Sequence, residues 1–339
     1  MHNRLFYLFI LLLVLTSCTD SNKIYKIGVA QCSQGRWRDK VNQEMLAAQH
    51  LYEQDVKVCI AYSHDDTELQ VRQIDSLANT GIDLLVVAPN EAEPIAQAVE
   101  RVMEKGIPVI FFDRKAATDK YTAFIGGNNM EAGQTVGLYA INMANDLRAS
   151  TPNRRVSVIE ITGAMSTSPA QERHEGFSKV IGDAEGIDFR TISSDWTDTD
   201  AKRIVQQLLA LEQLPDILFC HNDAMCEAVF TALKDAGKET QVELLGIDGM
   251  PDEGVAYVQQ GHQSGSYVYP THGDEIIRLA LDIITGKPYQ HENTLQGIMV
   301  TPDNADLVAL NSFELIKQNG ELITIHDKLE AYLGLYNSQ

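Results

Sequence analysis

The sequence predicts an α/β protein of two lobes, each built on a parallel sheet covered by helices on both faces. Short, entirely apolar segments of strand length alternate with segments whose apolar residues recur at helical spacing. Strands that are apolar throughout are typical of parallel sheets buried on both faces. The alternation runs through 24–126 and starts again at 130, which gives too many strands for one open sheet. A length of 339 residues also fits two cores better than one.

The first half of the chain contains predicted strands and helices in strict alternation. The predicted strands lie at 24–31, 56–62, 84–88 and 107–112, and the predicted helices lie at 38–54, 67–79 and 93–105. In the first helix Val41, Met45 and Ala48 share one face, which predicts an amphipathic helix packed on the sheet. The third helix ends before Gly106 and Pro108, two residue types that commonly terminate helices.

The second half repeats this plan without a recognisable sequence repeat. The predicted strands lie at 156–162, 188–193, 217–220, 242–247 and 265–269. The predicted helices lie at 130–147, 169–181, 200–211, 224–236 and 273–285. This second run of short apolar strands predicts a second parallel sheet.

The N-terminus has the pattern of a secretory signal. Arg4 is the only charged residue before an apolar run at 5–15, and its 11 residues are too few to cross a bilayer core, which needs about 20. The sequence Leu-Thr-Ser-Cys at 15–18 resembles the lipobox of bacterial lipoproteins, in which a peptidase cuts before the cysteine. We therefore predict a signal peptide at 1–17, a lipid on Cys18, a linker through 23 and a location on the periplasmic side of the cell envelope. A plain signal peptide or a signal anchor is the alternative.

Charge and cysteine content limit the partners. The formal net charge is −20, and it becomes −21 once 1–17 is removed, because that segment contains one arginine and no acid. Such an acidic surface repels phosphate backbones, so nucleic acid is not expected as a partner. The remaining cysteines show no metal-binding spacing, and we interpret them as structural thiols without assigning a disulfide: Cys32, Cys59, Cys220 and Cys226. No motif predicts a metal or a cofactor.

Polar and aromatic residues follow the predicted strands. Open parallel sheets bind ligands beyond the carboxyl ends of their strands, so residues at those positions are candidates for a site. The candidates are Trp37, Asp113, Arg114, Arg173, Asp195, Trp196, Asn222, Asp223 and Asp248. Carboxylates, amides and guanidinium groups bind vicinal hydroxyls, while aromatic rings pack on the faces of a sugar ring. The sequence therefore predicts a ligand cleft lined by such groups. Asn222 and Asp223 are also typical helix caps, and Asp248 with Gly249 is typical of a turn.

Four segments resemble periplasmic sugar-binding proteins of the ribose and galactose type. They are GIPVIFFDR at 106–114, QERHEGF at 171–177, CHNDAM at 220–225 and GIDG at 246–249, and they follow the family's order over about 24–302. The resemblance implies two Rossmann-like lobes, joined by a hinge of three crossing strands, that close over one monosaccharide. It implies an N-terminal lobe of 24–126 with 271–295, a C-terminal lobe of 127–270 with 296–310, and a C-terminal extension at 311–339.

The resemblance also assigns roles to the candidate residues. Asp113 and Arg114 would contact sugar hydroxyls from the first lobe, and Arg173, Asn222 and Asp248 would do so from the second. Trp37 and Trp196 match aromatic positions that stack on the sugar ring. Two departures stand out. Tyr269, which we also expect to contact the ligand, replaces a polar amide on a linker strand, and Gly35-Arg36-Trp37-Arg38 replaces an asparagine and paired phenylalanines. We expect Arg36 and Arg38 to be solvated; an inward-facing arginine would admit an acidic or phosphorylated sugar.

The segment around Gln31-Cys32-Ser33 and Trp37, with a helix-like stretch at 326–335, is similar to sensor modules of hybrid two-component regulators. The partner is therefore a sensor histidine kinase or, for uptake, the permease of an ABC transporter. The alternatives are a glycoside-processing enzyme that uses Asp113 and Asp248, and a repressor of the lactose type. No catalytic motif supports the enzyme, and a signal peptide stands where the repressor needs its DNA-binding helices.

Overall fold

The computed structural model describes residues 23–52, 55–151, 153–311, 315–318 and 321–324. The strands are β1 Tyr25–Gln31, β2 Val56–Tyr62, β3 Leu84–Val87, β4 Val109–Phe112, β5 Ala123–Gly127, β6 Val156–Thr162, β7 Ile187–Ser193, β8 Ile217–Cys220, β9 Glu243–Asp248, β10 Gly265–Val268, β11 Glu292–Leu295, β12 Ile298–Val300, β13 Leu315–Gln318 and β14 Glu321–Thr324. The helices are α1 Arg36–Ala48, α2 Thr67–Ala78, α3 Ala92–Glu104, α4 Asn129–Ser150, α5 Ser168–Ile181, α6 Asp198–Ala210, α7 Asp223–Asp235, α8 Gly254–Gln259, α9 Gly273–Thr285 and α10 Ala305–Asn311.

The first sheet has six parallel strands in the order β11-β5-β4-β3-β1-β2. Its strands β3 and β4 are buried along their whole length, as their unbroken apolar sequences require. Helices α1 and α9 cover one face, where Ile27, Val86 and Ile277 share an apolar core. Helices α2 and α3 cover the other face around Phe111 and Leu85.

The second sheet has the order β12-β10-β9-β8-β6-β7, and only β12 runs antiparallel to its neighbour β10. Helices α4 and α5 cover one face around Phe177 and Phe219, and α6 and α7 cover the other around Leu218 and Val229. The two sheets, each covered on both faces, confirm the predicted α/β class with two lobes.

The described chain passes between the two sheets three times. It crosses after β5, after β10 and between β11 and β12. The first two crossings touch each other, because the Tyr269 hydroxyl donates a hydrogen bond to the Gly127 carbonyl at 3.1 Å. A Cβ at Gly127 would lie 2.5 Å from the Tyr269 ring, so only glycine permits this approach. These crossings bring the carboxyl ends of both sheets to one shared cleft.

Some elements differ from the sequence prediction. The helix predicted at 38–54 runs instead from Arg36 to Ala48, and two strands are not predicted: β11, which is polar, and β12, which is apolar but only three residues long. Cys59 is exposed on the edge strand β2, contrary to its interpretation as a buried thiol, whereas Cys32, Cys220 and Cys226 are buried.

Three predictions lie outside the described residues: the signal peptide, the lipid on Cys18 and the helix at 326–335. Within the described ranges, none of the helices has the length and apolarity needed to cross a membrane.

Candidate ligand-binding site

A cavity of about 450 Å³ lies between the two lobes, where the carboxyl ends of both sheets meet. All eight residues predicted to bind the ligand line this cavity. They are Trp37, Asp113, Arg114, Arg173, Trp196, Asn222, Asp248 and Tyr269. Residues far apart in the sequence therefore converge at the place where the topology of open parallel sheets puts ligands.

Asp113 follows β4 directly and is held by a buried ion pair. Its Oδ2 accepts a hydrogen bond from the Arg38 guanidinium, and Arg114 Nε lies 3.8 Å from the same oxygen. Asp113 has a φ of 60°, a conformation that Asp tolerates better than most residues. Arg38 is buried, so the expectation that it is solvated is wrong. Burial opposes its charge, but the nearby Asp113 carboxylate more than offsets this and the Arg38 pKa is raised.

Arg173 lies in the first half of α5 and reaches into the cavity from the second lobe. Its Nε donates to Asn129 Oδ1 at 2.8 Å, and its Nη1 donates to the backbone carbonyl of His221. Its Cζ also lies 5.5 Å from the centre of the Trp196 ring and 4.9 Å from that of Tyr269. The guanidinium plane is therefore fixed before any ligand arrives, which reduces the entropy lost on binding.

Asp248 ends β9 and faces the cavity near Arg173, with 3.8 Å between its Oδ1 and Arg173 Nη1. Burial raises the pKa of Asp248 to about 7; Arg173 opposes the rise, and Glu253 and Asp113 add to it. The carboxyl group therefore changes its protonation state close to neutral pH. It can accept hydrogen bonds from sugar hydroxyls when ionised and donate one when protonated.

Three aromatic side chains line the cavity. Trp37 Nε1 donates to the Tyr269 carbonyl at 3.0 Å, and the two ring centres are 5.8 Å apart. The Tyr269 hydroxyl is already occupied, because it also accepts from Asn129 Nδ2 at 2.9 Å. Tyr269 can therefore offer its ring to a ligand, but its hydroxyl is used to join the crossings. Trp196 has a φ of 77° and closes the opposite side of the cavity.

Asn222 occupies the N-cap of α7, so the helix-cap interpretation is correct for this residue. Its Oδ1 accepts from the Met225 backbone N–H at 2.8 Å, and its Nδ2 donates to the Trp196 carbonyl at 3.3 Å. The amide nitrogen carries a second N–H that can point toward a ligand. Capping and ligand binding are compatible here because they use different atoms.

Three buried donor atoms of cavity-lining residues have no hydrogen-bond partner: Arg38 Nη1, Arg114 Nε and Trp196 Nε1. A buried donor without a partner costs about 1–3 kcal/mol. Oxygen atoms of a ligand would relieve that cost with small local adjustments. The arrangement of surplus donors, two carboxylates and flanking rings therefore suits a compact ligand rich in hydroxyl groups.

The rim of the cavity contains ion pairs between the lobes. Arg36 on α1 contacts Asp252 through Nη1 and Glu253 through Nε, each at 3.0 Å. Arg36 is 60% exposed, which agrees with the expectation that it is solvated. Since its partners follow β9 in the other lobe, these contacts hold the two lobes together at the rim.

Two residues that organise the site are not predicted from the sequence to do so. Asn129 links Arg173 to Tyr269, and it follows β5, so the strand-end rule extended to that strand would have found it. Arg38 is expected in solvent, because a single sequence does not show which face of the first turn of a helix points to the cavity. Within the described residues no cluster of three or more acidic, His or Cys side chains is arranged to hold a metal ion.

Two α/β lobes with a polar, aromatic-lined cavity between them define a two-lobed solute-binding protein. The chain belongs to the periplasmic binding protein domain family, whose family model matches residues 27–288. This membership confirms the resemblance drawn from the four sequence segments.

Named relatives agree with this assignment. The ribose import binding protein RbsB of Haemophilus influenzae is 30% identical over 213 residues, which cover 62% of this chain and 68% of that protein. The match to RbsB of Escherichia coli K12 is 28% identical and covers 61% of that protein. Among solved structures, the fructose binding periplasmic domain of a hybrid two component system is 33% identical, with a TM-score of 0.78, and the match covers 93% of this chain and 99% of that domain. A galactofuranose binding protein, at 20% identity and a TM-score of 0.76, shares the fold.

Proposed function

We propose that this protein binds a neutral monosaccharide in the cavity between its lobes, by hinge closure and without converting it. The convergence of all eight residues predicted to bind the ligand on one cavity carries this proposal. A volume of about 450 Å³ lies within the usual range of about 300–1,000 Å³ for small-molecule sites. Rigid-body closure of two lobes around a ligand is a general property of such architectures.

A neutral ligand is favoured because the deep charges of the site are paired within the protein. Arg38 and Arg114 share Asp113 as their counter-charge, and Arg173 lies beside Asp248. An acidic or phosphorylated sugar would need a cation free of such a partner, and the inward-facing Arg38 does not supply one. The paired groups are still able to bind neutral hydroxyls through their remaining oxygens and N–H groups.

D-fructose is the first candidate and D-ribose the second. The solved domain that is 33% identical and matched over 93% of this chain is described as fructose binding. The curated relatives at 27–30% identity are described as ribose import proteins, and the matched part covers 61–68% of their length. The fructose assignment is therefore supported by the more complete match.

We propose that the protein senses its sugar for a sensor histidine kinase, because the same near-complete match is to a domain of a hybrid two-component system. Delivery to the permease of an ABC transporter is the alternative, which the ribose import relatives support. Deleting the gene separates the two roles. Sensing predicts loss of sugar-dependent transcription with unchanged uptake of labelled sugar, and delivery predicts loss of uptake.

We also propose that a lipid on Cys18 anchors the chain to the periplasmic face of a membrane. The lipobox-like sequence supports this, and the family assignment supports the periplasm. Expression with a radiolabelled fatty acid tests it: the native chain should be labelled and sediment with membranes. A Cys18→Ser variant should be unlabelled, and labelling of that variant would contradict the proposal.

The lobe boundaries proposed from the resemblance are supported by sheet membership. The first sheet takes β11, at Glu292–Leu295, and the second takes β12, at Ile298–Val300. The proposed boundary between 295 and 296 falls between these strands. Limited proteolysis should cut first at the third crossing, where Gln296 is exposed, since exposed connections are cut first.

A monosaccharide panel tests the main proposal. Thermal unfolding with D-fructose, D-ribose, D-galactose and D-glucuronate, followed by calorimetry, should identify one neutral sugar that raises the melting temperature. Asp113→Asn should abolish that rise, and Asp75→Asn on the outer surface is the matched control. A response to D-glucuronate alone would overturn the neutral-ligand proposal. Product formation from a glycoside panel, lost in Asp248→Asn, would favour the glycoside-processing enzyme.

A further inference from the structure

A cluster of one carboxylate and two histidines lies behind the cavity in the second lobe. Glu160, in the middle of β6, is fully buried. Its Oε1 lies 2.8 Å from His221 Nε2, and its Oε2 lies 2.7 Å from His174 Nδ1 and 2.9 Å from Thr191 Oγ1. A buried carboxylate is tolerated only when donors of this kind surround it. These four residues therefore form one connected network.

This Glu160 network is attached to the candidate binding residues at two points. His174 follows Arg173 in α5, and His221 precedes Asn222 at the start of α7. The His221 backbone carbonyl also accepts the hydrogen bond from Arg173 Nη1. A displacement of His221 would therefore move both the acceptor that holds Arg173 and the neighbouring Asn222.

The surroundings of His221 favour the neutral form of its imidazole. With Nε2–H donating to Glu160, the other ring nitrogen, Nδ1, is buried and has no hydrogen-bond partner. A proton added to Nδ1 would create a buried donor without an acceptor. Burial lowers the pKa of His221; Glu160 raises it in part, and Arg173 and His174 on α5 lower it further. The remaining neighbours are uncharged rings, with Trp196 at 6.0 Å and Phe219 at 5.2 Å between ring centres.

We propose that His221 makes sugar binding sensitive to acid: its protonation competes with the ligand because the closed, liganded cavity has no place for the charged imidazole. This inference rests on the proposed sugar-binding function. Opening of the lobes would let water reach the cavity wall formed by Trp196 and Asn222, next to His221. The open form then accepts the proton more readily than the closed form, so acidification favours opening and weakens binding.

Calorimetry with D-fructose and D-ribose from pH 7.5 to pH 5 tests this proposal. The native protein should bind its sugar roughly tenfold more weakly at pH 5 than at pH 7, since one linked proton changes affinity by up to about tenfold per pH unit. His221→Gln keeps a donor for Glu160 but cannot gain a charge, so the fall in affinity between pH 7 and pH 5 should be clearly smaller in this variant, and its affinity at pH 7.5 should stay near native. Any pH dependence that comes from Asp248 remains in this variant, so the difference between the two proteins isolates His221.

The matched control is His174→Gln, which alters the partly exposed histidine on the other oxygen of Glu160 and should keep most of the pH dependence. A ligand-free measurement separates this proposal from the function on which it rests. In a Trp37→Phe background, Trp196 fluorescence should change between pH 7 and pH 5, and His221→Gln should remove the part of that change that comes from His221, while any part from Asp248 remains.

If no sugar binds at any pH, the proposed function fails. The fluorescence measurement still reports whether His221 gains a proton between pH 7 and pH 5. If a sugar binds and His221→Gln keeps the native pH dependence, the proposal is overturned. Circular dichroism at each pH confirms that the variants remain folded.

Discussion

Asp113→Asn separates the charge of the Arg38–Asp113 pair from its shape. Asn has nearly the size of Asp and also tolerates the φ of 60° at this position, so the substitution adds little backbone strain. It leaves the buried Arg38 guanidinium without its counter-charge. Removing one partner of a buried ion pair typically costs about 3–5 kcal/mol. We therefore expect a loss of that order in the free energy of unfolding.

The control is Asp75→Asn, which breaks an ion pair with Arg101 on the surface. Its side chains are 40% and 46% exposed, and the N–O distance is 2.8 Å. Exposed pairs contribute about 0.2–1 kcal/mol, so this variant should change stability by at most about a third of the effect at Asp113. The two substitutions are chemically identical and differ mainly in burial.

Urea unfolding followed by circular dichroism measures both variants. The Asp113→Asn midpoint should fall well below that of the native protein, and the Asp75→Asn midpoint should stay close to it. A second variant, Arg38→Met with Asp113→Asn, removes both charges and should recover part of the lost stability. If Asp113→Asn and Asp75→Asn shift the midpoint equally, the buried ion pair does not organise the site as argued.

Three further predictions concern other parts of the cleft. Asp248→Asn should stabilise the ligand-free protein by up to about 4 kcal/mol at pH 8 but little at pH 4. Burial raises the pKa of Asp248 in the folded protein from 3.8 to about 7, so ionising this carboxyl group costs stability, and the cost grows as the pH rises between those two values. Melting curves at pH 8 and pH 4 check this. Gly163→Ala should weaken sugar binding about tenfold or more with an unchanged circular dichroism spectrum, because the added Cβ would lie 2.2 Å from the Trp196 ring and displace it. Native affinity in this variant would contradict a role of the Trp196 ring in binding. Arg36→Glu should weaken sugar binding by about two- to fivefold in calorimetry at low salt, and adding Glu253→Arg should restore part of the lost affinity. An equal loss of affinity in the double variant would show that the rim pair does not favour closure.

The fold could be predicted from the sequence because parallel strands buried on both faces must be apolar throughout. Strands such as β4, with the sequence VIFF, carry that signal in four residues. The strand β11 carries no such signal, since it reads ENTL and is half exposed at a sheet edge, and the strand β12 is apolar but only three residues long. Cys59 shows the same limit, because its apolar neighbours do not reveal that β2 lies at an edge.

Most of the site could also be predicted, because the carboxyl end of a strand is a position that sequence can identify. Asp113, Asn222 and Asp248 were found in this way, and all three line the cavity. The partners of each side chain could not be predicted, since they depend on contacts between distant segments. The direction of Arg38 is decided by Asp113, 75 positions later, and the Tyr269 hydroxyl is occupied by residues on another crossing.

A crystal structure of the protein grown with D-fructose tests the central claim most directly. Binding in the cleft predicts density for one sugar between the rings of Trp37 and Trp196. Its hydroxyl oxygens should lie within about 2.7–3.2 Å of polar atoms of Asp113, Arg173 and Asp248. An empty cleft at a saturating concentration of a sugar that binds in solution, or density for that sugar at another place on the molecule, would contradict the account.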